Sequence, residues 1–151
     1  MTLTRRQVLA FGASTAAFGI VLGRAPAALA TPEDVSASIA EIFGGVQPQP
    51  GKITLTVPEI AENGNTVPIS VFVDSTMTGD DLVESVTIFA DGNPSPLVAA
   101  FRFSVLSGVA EATTRIRLAR TQNVIAVVKM ADGSVFIDSR EVKVTIGGCG
   151  G

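Results

Sequence analysis

The sequence predicts an all-β domain: an immunoglobulin-like antiparallel β-sandwich, preceded by one short amino-terminal helix and followed by a flexible, glycine-rich carboxyl-terminal arm. Apolar and polar residues alternate within short segments between residues 52 and 146, as they do in strands with one buried face. Turn signals such as Asp132-Gly133 separate these segments. Because no helical spacing of apolar residues lies between them, a sandwich of strands is favoured.

The composition is that of a globular protein with one domain. The chain has 151 residues, of which 46% are hydrophobic and 17% are charged. Local patterns divide it into four parts. Residues 1–30 form an export signal, residues 31–51 a helix and linker, residues 52–146 the β-sandwich, and residues 147–151 the arm.

The amino-terminal segment has the features of a twin-arginine secretion signal. Arg5 and Arg6 precede a moderately apolar run, and Ala28-Leu29-Ala30 provides a cleavage site, so cleavage is predicted before Thr31. The alternative is an uncleaved membrane anchor, which glycines and Arg24 within or beside the run disfavour. We therefore expect a periplasmic protein without stable membrane association.

An amphipathic helix is predicted directly after this signal. Thr31 suits the capping position and Pro32 the first helical position. Apolar residues then recur at helical spacing until Gly44-Gly45, namely Val35, Ile39, Ile42 and Phe43. Pro48–Gly51 is interpreted as the linker to the sandwich.

The strand candidates share alternating or β-branched sequences. They are Ile53–Val57, Val67–Val73, Ser85–Ala90, Ala99–Ser104, Thr113–Leu118, Val124–Met130, Ser134–Asp138 and Arg140–Ile146. Phe72 lies beside Val71 and Val73, and Phe89 beside Ile88, so some strands are apolar on both faces. We expect the helix or a second subunit to cover one sheet face.

Residue types exclude several functions. The chain has no histidine, one cysteine and three methionines, which cannot assemble a zinc, copper, haem or iron–sulfur site, so no metal or other cofactor is predicted. The absence of histidine also removes the commonest general base, and no catalytic residue is assigned. Residues 31–151 carry eight basic and 14 acidic side chains, a net charge of −6, which disfavours binding to nucleic acid.

Three arginines stand close together in this acidic protein. Arg115 and Arg117 would share one face of a strand, and Arg120 follows shortly after. One interpretation is an ordinary solvated strand face. The other is a basic stripe that recognises an anionic partner or substrate.

The chain ends in Gly147-Gly148-Cys149-Gly150-Gly151. Four glycines give this arm wide backbone freedom and no side chain that could pack onto the core. At about 3.3–3.6 Å per residue, Cys149 could reach roughly 10 Å beyond Ile146. A mobile thiol of this kind suits a covalent carrier better than a catalytic residue, which needs rigid support. No basic side chain is adjacent in sequence, so we expect a partner enzyme to activate the thiol.

The sequence resembles the SoxY family, the substrate-carrying subunit of the SoxYZ complex of bacterial sulfur oxidation. The resemblance rests on the twin-arginine signal and on several stretches, namely Glu62-Asn63-Gly64, Thr66-Val67-Pro68, Met77-Thr78, Asn93-Pro94, residues 114–119 and the terminal Gly-Gly-Cys-Gly-Gly. Cys149 matches the family's carrier cysteine. Gly147, Gly148, Gly150 and Gly151 match its arm.

The resemblance implies a protein that is not itself an enzyme and that forms a heterodimer with SoxZ. In the family, the haem protein SoxXA conjugates thiosulfate to the cysteine, SoxB releases sulfate by hydrolysis, and a sulfane dehydrogenase oxidises the remaining sulfur. Which sulfur compound is loaded, and whether the dehydrogenase step takes part, stay open.

Two other interpretations of the terminus are possible. Gly150-Gly151 could be activated as a thiocarboxylate, as in ubiquitin-like sulfur carriers, although that activation requires ATP and conflicts with export. Alternatively, Cys149 could form an intermolecular disulfide that only links subunits.

Overall fold

A computed structural model describes residues 29–148 of the chain. The predicted export residues Arg5 and Arg6 lie outside the described residues, as do Cys149, Gly150 and Gly151. Between residues 29 and 148, no helix has the length and apolar character needed to cross a membrane.

The predicted amino-terminal helix is confirmed as α1, Pro32–Ile42. The Thr31 side chain accepts a hydrogen bond from the Asp34 N–H, and the Asp34 carboxylate accepts one from the Thr31 N–H, which completes a capping box. The helix ends at Phe43, where Gly44 and Gly45 adopt φ values of +68° and +77°. Glycine takes these left-handed conformations without steric cost, so the two residues stop the helix.

Within residues 29–148, nine strands form two facing sheets, which confirms the predicted sandwich. They are β1 (Gln49–Pro50), β2 (Ile53–Thr56), β3 (Ile60–Asn63), β4 (Val67–Val73), β5 (Val83–Ala90), β6 (Leu97–Arg102), β7 (Ala110–Ile116), β8 (Gln122–Met130) and β9 (Val135–Ile146). The larger sheet has the order β1-β9-β8-β5-β6, with β3 also on β9. The smaller sheet has the order β2-β4-β7.

Strand β9 differs from the sequence prediction. The separate strands predicted at Ser134–Asp138 and Arg140–Ile146 are one continuous strand of 12 residues, so that division was wrong. Strands β1 and β3 pair with its two halves in parallel, at Phe136–Ile137 and Lys143–Ile146 respectively. Between them, β2 crosses to the other sheet. Gln49–Pro50, predicted as linker, is therefore also a short strand.

The main core lies between the two sheets. Alternate residues of β4, namely Val67, Ile69, Val71 and Val73, are at most 2% exposed and face the larger sheet. Val86 and Ile88 of β5 and Val128 of β8 are fully buried against them. This packing follows from the alternating sequence, because successive strand residues point to opposite faces.

A second apolar cluster explains why some strands are apolar on both faces. Val35 and Ile39 of helix α1, together with Phe43 at its C-cap, pack on Phe89 and its neighbours Val127 and Val135, on the outer face of the larger sheet. The helix is therefore the cover expected for this face. In contrast, Phe72 lies on the outer face of the smaller sheet and is 46% exposed.

The two phenylalanines allow a matched test of this packing. Phe89→Ala should lower the free energy of unfolding by about 3–5 kcal/mol, because it removes a fully buried ring from between the helix and the sheet. Phe72→Ala should cost less than about 1.5 kcal/mol, because much of its ring is already in water. Urea unfolding followed by circular dichroism measures both. Equal losses would contradict the assignment of Phe89 to the helix–sheet core.

Candidate functional site

The last described residues, Gly147 and Gly148, follow β9 directly and lie against two other backbone segments. The Gly148 N–H donates to the Leu118 carbonyl (2.9 Å), and the Leu118 N–H donates to the Gly64 carbonyl (2.8 Å). The Gly64 N–H donates to the Ile146 carbonyl (2.7 Å). We call Gly64, Leu118, Ala119, Gly147 and Gly148 the arm root, since Cys149 is attached to it covalently.

The glycines of the arm root are required by close contact between backbones. A Cβ atom on Gly147 would lie 2.1 Å from the Ala119 carbonyl oxygen, and one on Gly148 would lie 2.4 Å from the Gly64 carbonyl. A Cβ atom on Gly64 would lie 2.2 Å from the Leu118 carbonyl oxygen. These distances are far inside van der Waals contact, so only glycine fits without movement of the backbone.

This geometry corrects one expectation about the arm. The glycines were expected to have nothing with which to pack onto the domain, yet Gly147 and Gly148 contact it closely and Gly148 is hydrogen bonded. The assignment of Cys149, Gly150 and Gly151 to the arm concerns residues beyond the described part of the chain and stays a prediction.

A buried amide pair holds the segment that contacts the arm. Asn93 and Gln122 are only 6% and 5% exposed. The Asn93 Oδ1 accepts hydrogen bonds from the Ala119 N–H and from Gln122 Nε2, and its Nδ2 donates to the Arg117 carbonyl, each at 2.9 Å. The Gln122 Oε1 accepts from the Gly92 N–H at 2.7 Å. Asn93 therefore fixes the conformation of residues 117–119.

Asn93 also contacts the amino-terminal segment. Its carbonyl accepts a hydrogen bond from the N–H of Ala30, at 2.7 Å, and Ala30 is buried. Ala30 is the last residue of the predicted signal peptide, so cleavage before Thr31 would remove this contact. The sequence predicts Asn93 only as part of the turn Asp91-Gly92-Asn93-Pro94 between two strands, and as part of the Asn93-Pro94 stretch of the family resemblance. Its buried hydrogen bonds were not predicted.

The three arginines lie in or next to the chain segment that contains Leu118 and Ala119 of the arm root. Arg115, Arg117 and Arg120 are all exposed, and Arg117 and Arg120 flank Leu118-Ala119 in sequence. Among residues 29–148, the ion pairs are Lys52–Asp81, Lys129–Glu84 and Arg140–Asp138, none of which uses these arginines. Arg115 and Arg117 also line a shallow cleft of about 520 Å³ between β6 and β7. This placement fits both the solvated face and the anion-recognition interpretation.

The other features of the described structure that are candidates for a site lie away from the arm root. A groove of about 740 Å³ runs between the end of α1 and strands β5 and β6, and its lining shares no residue with the arm root. No cluster of three or more potential metal ligands occurs within residues 29–148.

Hydrogen bonds from Lys52, and then from Thr76, lower the pKa of Asp81 to about 2. Because Asp81 serves as the anchor of a surface turn, this shift is structural.

Fold and site together define a small β-sandwich protein whose last strand runs into a glycine-rich terminus held at the domain surface. A family model for the sulfur oxidation protein SoxY matches residues 39–149. The chain therefore belongs to the SoxY family. This confirms the resemblance inferred from the sequence motifs.

A solved structure of the same family agrees with this assignment. The structure of the sulfur carrier protein SoxY from Chlorobium limicola f thiosulfatophilum is 34% identical, with a TM-score of 0.63, over 74% of this chain and 92% of that chain. A superoxide reductase (neelaredoxin) from Ignicoccus hospitalis has a TM-score of 0.54 at 13% identity, over 77% of this chain and 94% of that chain. The second likeness concerns the fold alone. A search of the curated proteins finds no match.

The buried amide pair yields a stability prediction. Asn93→Ala should lower the free energy of unfolding by about 1–3 kcal/mol, because the Ala119 N–H, the Arg117 carbonyl and the Gln122 amide lose their partner. Asn123→Ala is the matched control. Asn123 is exposed and its side chain bonds Asp91 in water, so the loss should stay below about 0.5 kcal/mol. Thermal and urea unfolding of both variants would measure the difference, and an unaffected Asn93 variant would refute the role given to this side chain.

Proposed function

We propose that the protein is a periplasmic sulfur carrier that holds thiosulfate-derived sulfur intermediates covalently on Cys149 and presents them to partner enzymes. The observation that carries this proposal is the family match, which extends to residue 149 and so includes the only cysteine of the chain. The similar structure from Chlorobium limicola f thiosulfatophilum is described as a sulfur carrier. Cys149 follows the arm root by a single peptide bond, which supports a role in presentation.

The chemistry requires a thiol and external enzymes. In the loading step, the Cys149 sulfur forms a bond to the outer sulfur of thiosulfate, the thiol proton is released, and two electrons pass to a haem protein of the SoxXA type. Water then cleaves the terminal sulfur–sulfur bond in an enzyme of the SoxB type, which releases sulfate and leaves a persulfide on Cys149. A sulfane dehydrogenase would oxidise that remaining sulfur. SoxZ is the proposed stable partner, in a heterodimer.

The division of labour suits the composition of the chain. It contains no histidine, and its residues 29–148 hold no cluster suited to a metal ion. Electron transfer and hydrolysis are therefore assigned to the partners, whereas the carrier supplies a nucleophile and a means of presenting it. Activation of the thiolate is likewise assigned to the partner's active site.

The adduct is the direct test of this function. Intact-mass spectrometry of the protein purified without reductant from cells oxidising thiosulfate should show a mass increase that corresponds to sulfur or thiosulfate-derived groups. Reductant should remove the increase, and Cys149→Ser should abolish both the adduct and thiosulfate-dependent growth.

Other results of the same experiment would contradict the carrier role. A bare thiol, or a disulfide-linked dimer alone, would indicate a structural cysteine. A mass increase located on the Gly151 carboxyl would indicate a thiocarboxylate carrier instead.

Export through the twin-arginine pathway is a separate proposal with its own test. Replacing both arginines, Arg5→Lys with Arg6→Lys, keeps the charge but removes the pair, so the uncleaved protein should accumulate in the cytoplasm. Arg24→Lys, which leaves the pair intact, is the control and should be exported normally. Cell fractionation and amino-terminal sequencing measure both, with Thr31 expected first in the exported form. Normal export of the double-lysine variant would refute the proposal.

A further inference from the structure

The contacts at the arm root limit where Cys149 can be presented to an enzyme. This inference rests on the proposed carrier function. We propose that Gly64 and the Leu118–Ala119 segment form a backbone clamp on Gly147 and Gly148, which fixes the point from which Cys149 is presented, and that Asn93 positions this clamp. The first two glycines of the terminal motif, Gly147 and Gly148, then serve close packing against the domain.

Three hydrogen bonds close the clamp. They run from Gly148 to Leu118, from Leu118 to Gly64, and from Gly64 to Ile146, so the terminal segment, the turn after β3 and the segment after β7 are joined in one ring. Each bond joins main-chain groups, which any residue other than proline would supply at these positions. The end of β9 is thereby held on two sides.

Steric contact adds the second constraint. The distances to added Cβ atoms at positions 64, 147 and 148 are 2.2, 2.1 and 2.4 Å, and each nearest atom belongs to the backbone. A flexible joint would place no such demand on its glycines, since it needs freedom and not proximity. The neighbouring backbone therefore leaves no room for a side chain at these three positions.

Asn93 supports the clamp without touching the glycines of the terminus. Its side chain bonds both the Ala119 N–H and the Arg117 carbonyl, the two backbone groups on either side of Leu118. Since Leu118 supplies both clamp hydrogen bonds of its segment, fixing its neighbours fixes the direction of those bonds. Asn93 is thus a positioning residue that acts through Leu118.

The clamp shortens the arm. Measured from Gly148 and not from Ile146, Cys149 is one residue from the fixed backbone instead of three, at about 3.5 Å per residue. An enzyme that acts on the thiol must therefore approach the domain surface around Leu118 and Ala119. Because the clamp already holds Gly147 and Gly148, an enzyme that binds the carrier has fewer residues to order, and its affinity for the carrier depends on the clamp.

Amide hydrogen exchange of the full-length exported protein tests the clamp independently of its function. In the wild-type protein, the amides of Gly64, Leu118 and Gly148 should exchange at least about tenfold more slowly than in an unstructured peptide. Gly147→Ala should abolish this protection, while Gly150→Ala, the matched glycine substitution outside the clamp, should retain it. Protection of β8 amides verifies that each variant is folded. Wild-type exchange of the Gly148 amide at the unstructured rate would overturn the proposal.

Loading kinetics test the positioning role. With thiosulfate and the haem protein that loads it, Gly147→Ala and Asn93→Ala should each raise the KM for the carrier about tenfold with little change in kcat. Asn93→Ala leaves the arm sequence intact, so a shared effect cannot be due to the arm's own glycine content. Alkylation of Cys149 by iodoacetamide, measured in each variant, corrects for thiol reactivity.

The outcomes separate the two proposals. Loss of protection in Gly147→Ala without any change in KM would refute the positioning role. Failure of the wild-type protein to take up thiosulfate would refute the proposed carrier function, and the exchange rates would still decide the existence of the clamp.

Discussion

The arrangement of strand β9 determines where the carboxyl terminus leaves the domain. This strand pairs with β8 along one edge and with β1 and β3 along the other, so its register is set by three neighbours. Asp138, near its middle, also accepts a hydrogen bond from the Leu55 N–H of the smaller sheet, at 2.9 Å. A shift of one residue would turn every side chain of β9 to the opposite face, so the register is strongly specified. The position of Gly147 and Gly148 follows from that register.

In the proposed carrier function, the arm root is the surface from which the thiol is presented. A carrier that serves several enzymes must place the same thiol in each active site, and binding energy is lost whenever a flexible segment has to be ordered. Holding the first two residues of the terminus on the domain reduces that cost.

Charge is distributed unevenly around this surface. The chain carries a net charge of −3, yet Arg117 and Arg120 flank Leu118-Ala119 in sequence, Arg115 lies two residues before Arg117, and none of the three has a carboxylate partner among residues 29–148. Exposed arginines without ion-pair partners are compatible with an ordinary solvated strand face. In a sulfur carrier they would lie close to anionic intermediates and to the enzymes that approach them, which gives the anion-recognition interpretation a structural basis.

The sequence by itself determined the elements whose signals are local. The capping residues and glycines predicted helix α1, alternation predicted most of the strands, and the single cysteine at the terminus predicted the carrier function that family membership supports. Only the tertiary structure decided that β9 is continuous, that β1 and β3 run parallel to it, and that Gly64, Gly147 and Gly148 meet. Glycine is compatible both with freedom and with close contact, and a local pattern cannot distinguish them. Likewise, the burial of Asn93 depends on residues 24 to 29 positions away, which come together only when the sheets pack.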